Sequence, residues 1–155
     1  MMKLCSDVIC ALKGKTLVTA ESCTGGGIGS ALTSVPGSSA VFKGGVICYT
    51  NWVKEHILGV DPILLQQYGA VSAPVAQEMA RGVRKALQAD LALSVTGLAG
   101  PDGDEFDNPV GTVFIGCDSQ RGTEVREFHF TGDRESIREQ AVSAALRMVL
   151  ATLHN

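Results

Sequence analysis

Thr16-Leu17-Val18-Thr19-Ala20-Glu21-Ser22-Cys23-Thr24-Gly25-Gly26-Gly27 carries an apolar run into a corner of hydroxyls and glycines, after which Gly29-Ser30-Ala31-Leu32 is compatible with a helix. The stretch reads as strand, sharp turn and helix start. Glycines lack a Cβ, so backbone N–H groups and a helix N-terminus can converge on whatever is bound beside Ser22. An oxyanion or a phosphate suits such a place.

Outward from this corner, Leu4, Val8, Ile9 and Leu12 recur at helical spacing and Gly14 stops that helix before the first strand. Residues 45–49 predict a second strand, buried on both faces because the run Val46-Ile47-Cys48 does not alternate. Val53, Ile57 and Leu58 predict a short helix carrying Lys54. Ser72 is placed to N-cap the next helix, with Pro74 in its first turn and Val75, Met79, Val83 and Leu87 on one face. Residues 91–95 form a third buried strand that runs into the loop Thr96-Gly97-Leu98-Ala99-Gly100-Pro101. Residues 111–117 and 123–130 make an antiparallel hairpin, and a long helix from about Asp133 turns Ile137, Ala141, Ala144, Met148 and Leu153 to the core.

Helices alternating with apolar strands predict one α/β domain over residues 1–155, three-layer α/β/α, with a mixed, mostly parallel sheet and a late antiparallel hairpin. In such sheets ligands collect beyond the carboxyl ends of the strands. Ser22, Tyr49 and Thr96 all follow strand ends, so parallel neighbouring strands would gather them in one crevice.

At 155 residues the chain is long enough to bury a core without disulfides, and its five cysteines are odd in number and lack metal-ligand spacing. Reduced thiols in a cytoplasmic protein are expected. No apolar stretch approaches the roughly 18 residues that a membrane span requires. A net charge of −3 and few aromatic residues give no nucleic-acid footprint, so a small molecule is the expected partner.

Amide hydrolysis needs a nucleophile, a base that later returns its proton to the leaving nitrogen, and oxyanion donors. Ser22 supplies the first, and backbone N–H groups near Thr24, Gly25 and Gly26 the last. His56, His129 and His154 are poorly placed for a triad, so Lys54 is the better base, with the Tyr49 hydroxyl bridging Ser22 and Lys54. Taken singly, Ser22 reads as a helix cap, Tyr49 as a strand-end residue and Lys54 as a solvated helix face; their combination carries the chemistry. Cys23 is a rival nucleophile, although a neighbour in extended backbone points to the opposite side. Asp102-Gly103-Asp104-Glu105-Phe106-Asp107 lacks a recognised metal spacing and reads as a solvated loop, so neither metal nor cofactor is expected. Arg134 and Arg138, four apart, present two guanidinium groups to a phosphate or carboxylate, or pair with Glu135 and Glu139.

In order, Thr19-Ala20-Glu21-Ser22-Cys23-Thr24-Gly25-Gly26, Val35-Pro36-Gly37-Ser38-Ser39, Tyr49-Thr50-Asn51-Trp52-Val53-Lys54, Gly97-Leu98-Ala99-Gly100-Pro101, Pro109-Val110-Gly111-Thr112-Val113 and Gly132-Asp133-Arg134 resemble the C-terminal domain family of CinA. The resemblance covers nearly the whole chain. It implies an amidohydrolase that converts nicotinamide mononucleotide to nicotinic acid mononucleotide and ammonia in pyridine nucleotide salvage, without metal, in the form that lacks a pyrophosphatase domain. By motif match the catalytic residues are Ser22, Tyr49 and Lys54. The substrate-binding set is Thr24, Gly25, Gly26, Thr96, Gly97, Ala99, Gly100, Thr112, Arg134 and Arg138. A homo-oligomer is expected by the same resemblance. Thr50 and Thr96 stand where the family usually has serine, and Asn108 where lysine is common. A non-catalytic paralogue that binds pyridine nucleotide or phosphate is the alternative.

Overall fold

The computed structural model describes residues 1–154. The first half runs α1 (Met2–Ala11), β1 (Leu17–Glu21), α2 (Gly27–Thr33), β2 (Phe42–Ile47), α3 (Asn51–His56) and α4 (Pro62–Tyr68). The second runs α5 (Ala73–Leu87), β3 (Leu91–Gly97), β4 (Thr112–Ser119), β5 (Gly122–His129) and α6 (Arg134–Leu153).

The strands form one sheet in the order β2-β1-β3-β4-β5. β1 pairs in parallel with β2 and with β3, and β4 is antiparallel to β3 and β5. Four strands therefore point one way and β4 alone opposes them, the mixed sheet with a late hairpin that the sequence predicts. Glu21 lies level with Ile47 on one side and Val95 on the other, so the three parallel strands end together.

Strand periodicity builds two cores from one strand, because successive side chains point to opposite faces. Leu17 packs with Cys5 and Val8 of α1, Ile28 and Leu32 of α2, and Ile137, Ala141 and Leu146 of α6. Val18 and Ala20 pack with Val75, Met79 and Val83 of α5 and with Leu58 and Leu65. Each fully buried aliphatic side chain contributes about 1.5–3 kcal/mol, so these faces hold the three layers together. All five cysteines are free thiols. Among the described residues no helix is long and apolar enough to cross a membrane.

Two local expectations are corrected. β2 alternates half-buried and exposed residues and stops at Ile47, because it is the outermost strand of the sheet and only its inner side is paired. A run of apolar residues does not reveal an edge. Its Gly45 lies opposite Thr19, where a Cβ would collide with the threonine hydroxyl. Ser72 does occupy the N-cap position of α5, but its hydroxyl donates to the Gly69 carbonyl at 2.8 Å and leaves the helix amides alone.

Candidate active site

Ser22 extends the parallel pairing one residue past β1: its N–H donates to the Val95 carbonyl at 2.9 Å. The chain then turns through Gly25 and Gly26, at φ +58° and +96°, and the Gly25 N–H closes the turn on the Ser22 carbonyl at 3.1 Å. Such φ values disfavour any residue with a Cβ.

Glu21, which sequence reasoning gave no role, braces this corner from inside. Only 2% exposed, its carboxylate accepts from Thr24 Oγ1 at 2.8 Å, Ile28 N–H at 2.8 Å, Gly29 N–H at 3.0 Å and Thr19 Oγ1 at 3.2 Å. Two of those donors are first-turn amides of α2, which lack partners within the helix. An acid at a strand end, three residues before a threonine and just before a glycine-opened helix, was the available signal.

Thr50 caps α3, which brings Lys54 inward. The side chain is 1% exposed, and its Nζ lies 3.1 Å from Ser22 Oγ and 2.8 Å from the Cys48 carbonyl. Among the described residues no carboxylate forms an ion pair with it. Burial penalises the ammonium and holds the lysine below its ordinary pKa, opposed by its interactions with the Cys48 and Cys23 thiols. The neutral amine has two N–H bonds and a lone pair. With one N–H on the Cys48 carbonyl, the lone pair is free to take the Ser22 proton.

Lysine and serine therefore meet directly, which corrects the expected bridge through Tyr49. That residue lies beyond the end of β2 and is 59% exposed. Its hydroxyl accepts from Arg134 Nη2 at 3.2 Å, while Arg134 Nη1 donates to the Gly100 carbonyl at 2.6 Å. The three side chains nonetheless line one cavity of ≈ 310 Å³, with Asn51, Val71, Thr96, Gly97, Leu98, Ala99, Gly100, Asp102 and Arg134.

Of the expected binding residues, Thr96, Gly97, Ala99, Gly100 and Arg134 thus lie on this cavity. The Thr96 hydroxyl is engaged by the Ala70 carbonyl at 2.9 Å, so it shapes the wall. Thr24 is buried against Glu21, and Thr112 is buried in β4 with its hydroxyl on the Pro109 carbonyl at 2.8 Å. Thr24, Gly25, Gly26, Thr112 and Arg138 do not line the cavity. Arg138 instead holds the back of the serine turn, donating to the carbonyls of Cys23 and Thr24. Neither arginine pairs with Glu135 or Glu139. Asn51 and Asp102 also line the cavity; Asn51 carried no signal of its own in the sequence, and Asp102 read there as part of a solvated acidic loop.

The rival chemistries fit poorly. Cys23 is 6% exposed and burial pushes its thiol up to about 11, so the thiolate is scarce at neutral pH. His56 stacks on Trp52, His129 lies against Glu127, and none of the three histidines lines the cavity. Asp104 accepts from the Phe106 and Asn108 amides, as a turn-forming aspartate does, and among the described residues no group of three or more metal-ligating side chains converges.

The family profile described as the CinA C-terminal domain matches residues 3–153. Among curated relatives, a putative competence-damage inducible protein of Acetivibrio thermocellus is 51% identical over 86% of this chain, which spans only 32% of that protein. The chain covers about a third of the length of several such relatives. Nicotinamide-nucleotide amidohydrolase PncC of Escherichia coli is 46% identical over 95% of this chain and 91% of its own length. Among solved structures, the competence damage-inducible protein A of Klebsiella pneumoniae superposes with a TM-score of 0.97 at 35% identity, covering 99% of this chain and 97% of that one. The competence/damage inducible protein CihA of Agrobacterium tumefaciens gives 0.94 at 39%, covering 99% and 95%.

Proposed function

The chain belongs to the CinA C-terminal domain family, and on that footing we propose that it is an amidase, with residues 1–155 as its catalytic domain, hydrolysing nicotinamide mononucleotide to nicotinic acid mononucleotide and ammonia. The observation that carries the reading is the buried, carboxylate-free Lys54 amine 3.1 Å from Ser22 Oγ. Lys54 takes the serine proton as Ser22 Oγ bonds to the carboxamide carbon. The oxyanion is held by backbone N–H groups near Thr24 to Gly26 that are not already bonded within the turn. Collapse breaks the C–N bond, the proton passes from Lys54 to the departing ammonia, and Tyr49 acts on the leaving nitrogen from the rim. Water, deprotonated by the same lysine, then attacks the acyl carbon; the C–Oγ bond breaks, the acid leaves and Lys54 returns the proton to Ser22 Oγ. Arg134, at the mouth, takes an anionic or hydroxyl part of the nucleotide with the N–H groups it has left. No metal or cofactor enters this scheme. Such an enzyme would act in pyridine nucleotide salvage, in the cytoplasm, as a homo-oligomer.

A coupled ammonia assay on nicotinamide, its riboside and its mononucleotide tests the reading. Release is expected from the mononucleotide and to vanish in Ser22→Ala. Calorimetric binding of the mononucleotide with no ammonia at any pH would instead establish a binding module.

A further inference from the structure

Arg134 and Arg138 open α6 one turn apart, yet they face different sides of the serine turn. Arg138 is half-buried; its Nε donates to the Cys23 carbonyl at 3.0 Å and its Nη2 to the Thr24 carbonyl at 3.2 Å. The approach is close enough that a Cβ on Gly25 would stand 3.3 Å from Nη2. Around its side chain lie Gly27, Glu135 and Glu139, and neither these residues nor Arg138 line the cavity that holds Ser22 and Cys23.

A trans peptide carries its C=O and N–H in opposite directions. The cis peptide among the described residues is Gly100–Pro101, so the bonds around Thr24 are trans. Drawing the Cys23 carbonyl back onto Arg138 therefore turns the Thr24 N–H forward, away from the guanidinium. The Gly25 N–H, turned the same way by the Thr24 carbonyl, is already taken by the Ser22 carbonyl at 3.1 Å. The Thr24 N–H meets no protein acceptor among the described residues. A cationic donor on the carbonyl oxygen also polarises the peptide and strengthens its N–H as a donor.

We propose that Arg138 is a positioning residue: it aims and polarises the Thr24 N–H as an oxyanion donor for acyl transfer at Ser22, and it does not bind the substrate. The proposal rests on the amidase reading above. Removing one oxyanion donor typically lowers kcat about 10²- to 10³-fold, and misaiming one should approach the lower figure. Arg138→Ala is accordingly expected to lose about 10²-fold in kcat with KM within about threefold of the parent, because the lost interaction is made only in the transition state. Arg138→Lys keeps the charge without the two-pronged donor and should recover part of kcat. Millimolar guanidinium should partly rescue the alanine variant. A KM raised tenfold or more at unchanged kcat would make Arg138 a substrate ligand and overturn the proposal, as would an unchanged kcat in both variants.

Labelling of Ser22 by a phosphonofluoridate, followed by mass spectrometry, separates this proposal from its premise. The adduct places an oxygen where the oxyanion would sit, so labelling should slow in both variants even if nicotinamide mononucleotide is not the substrate. Equal labelling rates would overturn the role of Arg138, whereas labelling without ammonia release by the parent protein overturns only the choice of substrate. If Arg138→Ala fails to fold by circular dichroism, the lysine variant decides alone: its kcat and labelling rate must fall at unchanged KM.

Discussion

On the floor of the cavity Ser22 is 8% exposed and Lys54 1%, whereas at its mouth Tyr49 is 59% exposed. Groups on and behind the floor are held by several partners: Glu21, behind the serine turn, accepts four hydrogen bonds, and Lys54 touches both Ser22 and the Cys48 carbonyl. At the mouth, Tyr49 and Arg134 share a single contact of 3.2 Å that solvent or substrate can replace. Preorganised groups act on charge that develops during reaction, while exposed groups that reorganise freely contribute mainly to binding. Substitutions on the floor should therefore lower kcat and those at the mouth should raise KM.

The largest effect is expected at Lys54. Removing a general base costs about 10²- to 10⁴-fold, and arginine is no substitute because its pKa exceeds about 12. Lys54→Arg and Lys54→Met should both be nearly inactive in the ammonia assay, and substantial turnover by either would show that another group takes the serine proton. Burial lowers the folded-state pKa of Lys54, so kcat/KM should fall as pH drops through that lowered value. The same shift sets a stability slope. Between the lowered value and the ordinary ~10.4 the unfolded chain binds more protons than the folded one, so stability rises with pH across that window. Lys54→Met should lose this slope in urea melts and be more stable than the parent at neutral pH.

Next comes Tyr49→Phe. Direct contact between Lys54 and Ser22 leaves proton abstraction intact without the phenol, so the loss in kcat should be about tenfold to 10²-fold, the low end for one acid–base group. A loss equal to that of Lys54→Met would mean that the proton travels through Tyr49, and that the mouth closes onto the floor during turnover.

The contrast between floor and mouth also marks where the sequence was legible. Apolar runs followed by glycines or hydroxyls placed Ser22, Tyr49 and Thr96 at strand ends, and parallel order β2-β1-β3 gathers those ends into one cavity. That inference needs only local patterns and the rule that ligands collect at carboxyl ends. What local patterns do not carry is which side of an element faces which neighbour. β2 looked buried on both faces because Val46, Ile47 and Cys48 are apolar, yet only a partner strand on each side would have made it so. Arg138 looked like an anion ligand because guanidinium groups bind anions, but helix packing brings it against two carbonyls. Glu21 carries only a faint local sign of its role, because its donors, the amides of Ile28 and Gly29, come within reach only once α2 is docked.

Glu21→Gln probes the floor without touching its reacting atoms. The amide keeps one acceptor oxygen and turns an NH₂ group toward donors, leaving buried N–H or O–H groups unmatched at about 1–3 kcal/mol. The melting midpoint should fall accordingly, and kcat should drop about tenfold as the Ser22 turn loosens, with KM little changed. Unchanged kcat in a destabilised protein would confine Glu21 to holding the fold.

The smallest effect is expected at the mouth. Arg134 is exposed and its two contacts, the Gly100 carbonyl at 2.6 Å and the Tyr49 hydroxyl at 3.2 Å, lie on the lining of the cavity, where the proposed substrate would enter. A solvated hydrogen bond is worth about 0.5–1.5 kcal/mol net, which converts to roughly a two- to tenfold change in binding. Arg134→Ala should raise KM for the mononucleotide by that factor while leaving kcat close to the parent's, and should discriminate less between the mononucleotide and its riboside if the guanidinium meets the phosphate. A kcat loss as large as that of Glu21→Gln would instead move Arg134 from the mouth to the floor, because only a group engaged in the transition state lowers kcat without weakening the ground-state complex.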